Sequence, residues 1–280
     1  MFRYHARMTS KCNAHALKWL AGHSTVAPDQ RAALAGLAPA LLEALPAGAP
    51  WLLGLGGAPG TGKSTLAGML VAVDKKLRED HSARPEPAII VLSLDDYYLS
   101  RAERGELARD IHPELAQRGI PGTHDLQRLF EDIDLLLEGH TGPLNLPAFN
   151  KALDDRSPHG RDIVLDGRPA RIILEGWLIG IPPLANTTAR HSSPDEAFGS
   201  VQRYMSMQLK MLHQDFTART SALWTLTAPD FATVCQWRWR QEQDLTEPML
   251  QSRADVKAFL QPFAPFIKHQ LKHAGDDADL

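Results

Sequence analysis

Residues 51–70 read Trp51-Leu52-Leu53-Gly54-Leu55-Gly56-Gly57-Ala58-Pro59-Gly60-Thr61-Gly62-Lys63-Ser64-Thr65-Leu66-Ala67-Gly68-Met69-Leu70. An apolar run leads into a glycine loop, and a helix-forming run follows it. Gly57, Gly62, Lys63 and Ser64 occupy the defining places of G-x-x-x-x-G-K-[ST], a loop whose backbone cradles phosphates. Glycine permits positive φ and a close approach of backbone to ligand. The amides of Ala58, Pro59-flanked Gly60, Thr61 and Thr65 then sit at a helix N-terminus, which favours an anion. Lys63 is placed to reach the β- and γ-phosphates, and the Ser64 hydroxyl to hold Mg²⁺. A glycine-rich turn that only opens a helix would need neither the lysine nor the hydroxyl. The expectation is a nucleoside triphosphate with Mg²⁺.

Upstream, Ala32, Leu34, Leu37, Leu41, Leu42 and Leu45 recur at helical spacing behind Asp29, a candidate cap. Pro39 inside that run predicts a kink or two shorter helices. Downstream, Ala88 to Leu94 is a continuous apolar run, which suits a parallel strand covered on both faces. It ends in Asp95-Asp96-Tyr97-Tyr98. Residues 100–118 are highly charged and give a weak helix signal. Asp125 caps an amphipathic helix through Leu137. Residues 139–160 are rich in Pro, Gly, Asn and Asp and read as loop. Arg161–Leu165 and Ala170–Leu174 read as two short strands around the turn Asp166-Gly167-Arg168. Residues 183–200 read as a polar linker, 202–218 as helix, 222–226 as a final buried strand. Asp230 caps the next helix, and a last helix over 253–272 is disturbed by Pro262 and Pro265. Strands alternating with helices after a phosphate loop predict an α/β, three-layer P-loop NTPase fold. Its sheet is doubly wound and mostly parallel, with helices on both faces and ligands at the carboxyl ends of the strands.

The 280 residues carry a net charge of −3 and are 44% hydrophobic, which fits a globular chain with a real core. No long basic cluster points to nucleic acid. Cys12 and Cys235 are far apart and form no metal-spaced pair. No apolar run reaches the ~20 residues of a membrane span. Met1 to Lys11 lack the apolar stretch of a signal peptide. The expectation is a cytoplasmic protein with no membrane or nucleic-acid partner, and with its oligomeric state undetermined.

Three polar clusters meet at one sheet edge if the strands are parallel: the phosphate loop, Asp95-Asp96, and Glu175. Phosphoryl transfer needs a phosphate cradle, a carboxylate for the acceptor's hydroxyl proton, and cations against developing charge. Asp95 or Asp96 is the candidate carboxylate, although Asp pairs also cap helices and turns. Glu175 follows Ile172-Ile173-Leu174 as a Walker-B acid does. It is a candidate metal contact with Ser64 and Asp95, against the alternative of a structural carboxylate. Candidate cations are Arg118, Lys151, Arg156, Arg238 and Arg240. Arg238 and Arg240 are two apart on a helix, so at most one faces a given ligand. Trp237 and Trp239 read as core rather than as platforms for a base.

The order of phosphate loop and Leu92-Ser93-Leu94-Asp95-Asp96-Tyr97-Tyr98-Leu99 resembles the kinase branch that contains uridine kinase, phosphoribulokinase and bacterial pantothenate kinase. More narrowly, the chain resembles the D-glycerate 3-kinases of plant and bacterial type. The likeness rests on His112-Pro113-Glu114-Leu115, Arg118-Gly119-Ile120-Pro121-Gly122-Thr123-His124-Asp125, Phe149-Asn150-Lys151 with Asp154-Asp155-Arg156, Glu175-Gly176-Trp177, and Trp237-Arg238 with Gln241-Glu242. It covers about residues 51–243. The resemblance implies transfer of the γ-phosphate of ATP to a hydroxyl of D-glycerate, giving 3-phosphoglycerate, with Asp95 as base; on the residue reading Lys63 and Glu175 join it as catalytic candidates and Arg238 is the candidate cation at the nucleotide. Tyr98, Arg118, Thr123, His124, Asp125, Lys151 and Arg156 would line the acceptor site. The expected organisation of the chain is a single P-loop kinase domain over 1–280, with a helical extension at 1–48, an acceptor-side insertion at 100–160 and a polar linker at 183–200.

The chain departs from that pattern. The family has a basic residue at Ala148 and Asp at Asn150. It has a Trp-Arg pair and an Asn in the region of Val201-Gln202 and Ser206, and a Tyr-Glu-Arg-Leu-Thr type segment at Phe263-Ala264-Pro265-Phe266-Ile267. The nucleotide half is intact while the acceptor half is altered. A nucleoside- or pantothenate-type kinase, with Tyr97 and Tyr98 flanking a base, and an NTPase in which Asp95 positions water stay open as alternatives.

Overall fold

The computed structural model describes residues 2–23, 28–80, 87–183, 196–243, 248 and 250–273. Its centre is a four-stranded parallel sheet of β1 (Trp51–Gly57), β2 (Ile89–Ser93), β7 (Arg171–Gly176) and β8 (Ala222–Leu226), in the order β2-β7-β1-β8. Every residue of β1 and β7 is buried, as central strands covered on both faces require. β8 is half-buried along its length. The sequence predicts a buried strand there; among the described residues β8 lies at the sheet edge, with β1 on one side and no strand on the other.

Side chains alternate across the sheet. Trp51, Leu53, Leu55, Ile89 and Ile173 point to a core shared with helices α1 (Phe2–Ala21), α2 (Pro28–Glu43) and α3 (Lys63–Asp80). Leu52, Leu92, Ile172 and Leu174 point to the other face. There they join α5 (Leu126–Glu138), α6 (Glu196–Thr217), α7 (Phe231–Gln243), α8 (Arg253–Leu260) and α9 (Ala264–His273). The fold is thus an α/β P-loop NTPase-like architecture with helices on both faces of a parallel sheet. A buried ion pair ties α3 to the N-terminal end of β7: the Arg171 guanidinium donates to both Asp74 oxygens, at 3.0 and 2.9 Å.

Several local expectations change. Of the two outcomes expected of Pro39, the split into two helices does not occur, since α2 is one helix with Pro39 inside it, and Asp29 lies within its first turn rather than before it. The charged stretch after Ser100 contains α4 (Arg101–Asp110), closed by a capping box in which Ser100 and Glu103 bond reciprocally. The stretch read as loop at 139–160 contains β3 (Thr141–Leu146), β4 (Phe149–Asn150) and β5 (Asp155–Arg156). β3 pairs antiparallel with β6 (Arg161–Asp166), and β4 with β5. The two strands flanking Asp166-Gly167-Arg168 therefore do not pair with each other. β7 is apolar enough to enter the buried sheet, whereas β6 keeps polar, exposed positions and leaves with β3. The linker predicted at 183–200 falls outside the described residues at 184–195, and 196–200 already belong to α6. Pro262 and Pro265 divide the C-terminal helix into α8 and α9 as expected, and Asp230 accepts from the Thr233 amide at 2.7 Å as the cap of α7. Neither Cys12 nor Cys235 forms a disulfide. Among the described residues no helix is long and apolar enough to cross a membrane.

Candidate active site

The parallel register brings the strand ends together. Glu175 on β7 sits level with Leu55 on β1 and Ser93 on β2, and Gly57 is level with Leu226 on β8. A cavity of about 870 Å³ opens at this edge, with the phosphate loop on one wall and Asp95, Tyr98, Arg118 and Lys151 on another.

The Lys63 ammonium donates to the carbonyls of Gly57 at 2.8 Å and Ala58 at 3.1 Å, which folds it back over its own loop. Burial lowers its pKa, and the carboxylates of Glu175 and Asp95 oppose that shift. Gly60 has φ +85°, and a Cβ there would stand 2.8 Å from the Cβ of Trp237. Only glycine lets the loop pack this closely on α7. The hydroxyls of Ser64 and Ser93 both donate to Glu175 Oε1, at 3.0 and 2.9 Å. Hydroxyl and carboxylate oxygens at one point form the donor set of a hard cation.

Asp95 lies in a 3₁₀ turn, Leu94–Tyr97, directly after β2. Tyr98 Oη donates to its Oδ1 at 2.9 Å and Lys151 Nζ to its Oδ2 at 2.7 Å. Burial alone would raise its pKa. The Lys151 charge and the two hydrogen bonds outweigh burial and bring it down to about 2. Asp96 turns away to accept from the Phe149 amide at 3.2 Å, and burial raises its pKa. Position after β2 could not separate the two aspartates; their partners do.

Of the predicted acceptor residues, Tyr98, Arg118 and Lys151 line the cavity. Thr123, His124, Asp125 and Arg156 stand behind that wall. The Thr123 hydroxyl donates to Ile120 O at 2.7 Å within its own turn. The His124 ring lies 4.5 Å from that of Tyr98, and burial lowers the His124 pKa to about 4. Asp125 caps α5 by accepting from the Arg128 amide. Arg156 donates to Tyr98 O at 2.9 Å and Asp125 Oδ2 at 3.0 Å. These four brace the turn carrying Asp95 and Tyr98. Asn150 accepts from the amides of Ala152 and Leu153, the turn-closing bonds that an aspartate would also make.

On the nucleotide side, Arg238 lines the cavity, pairs with the buried Glu242, and lies 6.0 Å from the Phe259 ring. Arg240 is exposed, and Trp237 and Trp239 pack on the core. Sequence reasoning passed over Ser93, Phe259, Phe263 and Arg104. Ser93 became a site residue only once β2 was seen to lie beside β7, which sets its hydroxyl level with Glu175. The two phenylalanines carry no signal that separates cavity from core.

No family model matches the chain. It is 27% identical over 235 residues to the Uncharacterized kinase mug58 of Schizosaccharomyces pombe, across 81% of this chain and 80% of that protein. It is 26% identical over 232 residues to TDA10 of Saccharomyces cerevisiae, named as a probable ATP-dependent kinase, across 78% and 77%. Among solved structures, the YGR205w protein superposes with a TM-score of 0.61 at 25% identity, covering 82% of this chain and 81% of that one. D-glycerate 3-kinase from Cryptococcus neoformans superposes with a TM-score of 0.61 at 21% identity, covering 92% and 87%.

Proposed function

We propose that the chain is an ATP-dependent small-molecule kinase whose acceptor is D-glycerate. The observation that carries the kinase reading is the convergence of Lys63, Ser64, Asp95 and Glu175 with the cations Arg118 and Lys151 on one cavity. A switch NTPase has no need of the second wall. The two relatives named as kinases support the same reading. The glycerate assignment rests on the ordered motifs around residues 118–125 and 149–156. It is supported by guanidinium and ammonium groups suited to a small carboxylate. Tyr97 is buried with its hydroxyl on Asp132, away from the cavity, and the Tyr98 ring packs against His124 and Phe149 while its hydroxyl holds Asp95, so the pair does not flank a nucleobase from two sides.

In this mechanism the acceptor hydroxyl attacks the γ-phosphorus, the bond to the bridging oxygen of ADP breaks, and the hydroxyl proton passes to Asp95. A carboxylate held this acidic orients the hydroxyl and takes its proton only as the new P–O bond forms, in keeping with a loose transition state. Lys63 holds the phosphate chain at the loop, and Lys151 and Arg118 offset charge on the acceptor side. Ser64, Glu175 and Asp95 would hold Mg²⁺, which when bound neutralises phosphate charge. Among the described residues no group of three or more His, Cys, Asp or Glu forms a metal cage. That suits an ion held by one or two carboxylates together with substrate phosphates.

The test is ADP release from ATP and Mg²⁺ with a panel of D-glycerate, other small hydroxy acids, nucleosides and pantothenate. D-glycerate-dependent release is the expected result. Release that depends on another acceptor overturns the glycerate assignment, and release independent of every acceptor overturns the kinase reading.

A further inference from the structure

Arg104 on α4 has no exposed surface. A guanidinium in that setting costs stability unless its donors and its charge are met. Its donors reach Leu99 O at 3.2 Å, Ala116 O at 2.6 Å and Asp154 O at 2.6 Å, and the Asp154 carboxylate lies 3.0 Å away. These carbonyls belong to the three segments that deliver Tyr98, Arg118 and Lys151 to the cavity. The other oxygen of Asp154 pairs with Arg118, and Asp154 itself holds φ +54°, an unfavourable backbone state for a non-glycine residue. One carboxylate therefore stands between two guanidinium groups, one sealed in the protein and one on the cavity wall.

We propose that Arg104 is a positioning residue for the acceptor: by balancing Asp154 it lets Arg118 present its positive charge to an anionic acceptor. The inference rests on the kinase reading and deepens its acceptor side. With Arg104 absent, the full charge of Asp154 falls on Arg118, and the cavity wall loses attraction for a carboxylate. The same bonds also staple the backbone, so the test separates charge from stapling.

ADP release is measured on the 280-residue chain for wild type, Arg104→Met, Asp154→Asn and the double variant, with ATP and acceptor varied in turn. Arg104→Met is expected to raise the acceptor KM about tenfold or more while the ATP KM stays within about twofold. The double variant, which removes the neutralising carboxylate as well, is expected to bring the acceptor KM back to within about threefold of wild type, a non-additive result. A double variant no better than Arg104→Met overturns the proposal in favour of a backbone staple. If Arg104→Met gives no cooperative melt, Asp154→Asn alone decides: an unchanged or lower acceptor KM supports the proposal, and a raised one overturns it. The same pattern with an anionic acceptor other than D-glycerate supports the proposal and overturns only the glycerate assignment. D-glycerate turnover in which Arg104→Met leaves the acceptor KM unmoved overturns the proposal and spares that assignment. Preference of the wild type for a neutral acceptor, or turnover with none, overturns it.

Discussion

Asp95 is the residue on which the proposed chemistry turns. Asp95→Asn keeps the shape and one acceptor oxygen but cannot take a proton. It is expected to leave ATP affinity within about twofold and to cut kcat by about 10²-fold or more, read by nucleotide titration and ADP release. Lys151 sets the acidity of Asp95 from an exposed position, its side chain 62% accessible beside one that is 29% accessible. Removing it leaves burial, which raises the Asp95 pKa, as the leading influence. Lys151→Met is therefore expected to lose about threefold or more of kcat/KM as pH falls from 7 to 5, a pH profile that Asp95 does not impose on the wild type. The place of Asp95 after an apolar strand was legible in the sequence. Its acidity was not, because the Lys151 contact depends on the β4–β5 hairpin, whose two-residue strands carry no periodic signal.

At the scale of elements, the strands and helices with sustained apolar patterns were the readable ones: β1, β2, β7, α5 and the broken C-terminal pair α8 and α9. α4 gave only a weak signal although Ser100-x-x-Glu103 spells its start, since a helix with few apolar residues offers no stripe to follow. Ser100→Ala removes one half of that box and is expected to cost about 1 kcal/mol in urea unfolding. The loop between the 3₁₀ turn at 113–116 and α5 depends on a different constraint. Gly122 has φ +97°, and a Cβ there would stand 2.4 Å from Cε1 of Tyr204 on α6. Gly122→Ala is expected to destabilise the chain by about 2 kcal/mol and to raise the acceptor KM more than the ATP KM, because Arg118 and His124 ride on the same loop. That α6 backs this loop could not be read from sequence, because their meeting is a product of tertiary packing alone.

For the molecule as a whole, the acid side of the stability profile follows from buried groups. His124 has a pKa of about 4 in the fold against an ordinary 6.5, so the unfolded chain binds its proton more readily. The stability it contributes is complete above pH 6.5 and is lost as pH falls toward 4, about 3 kcal/mol in all. Chemical denaturation of His124→Gln is expected to show a correspondingly flatter dependence across that window, while loss tied to Asp95 sets in only below pH 4. The architecture was legible because one loop and three apolar strands imply a parallel sheet; the order β2-β7-β1-β8 was not, since it depends on which strand slots between which. That order also makes a timing statement. Leu55 and Glu175 pair only after the intervening chain has closed, and Leu226 pairs with Gly57 from later still. Parallel pairing across such separations is slow, because closure entropy is met before contacts repay it. A refolding or nascent chain thus owns its glycine loop early but completes the proposed nucleotide site only at the final stage, so ATP binding is expected to lag behind helix formation in refolding and to mark the end of folding.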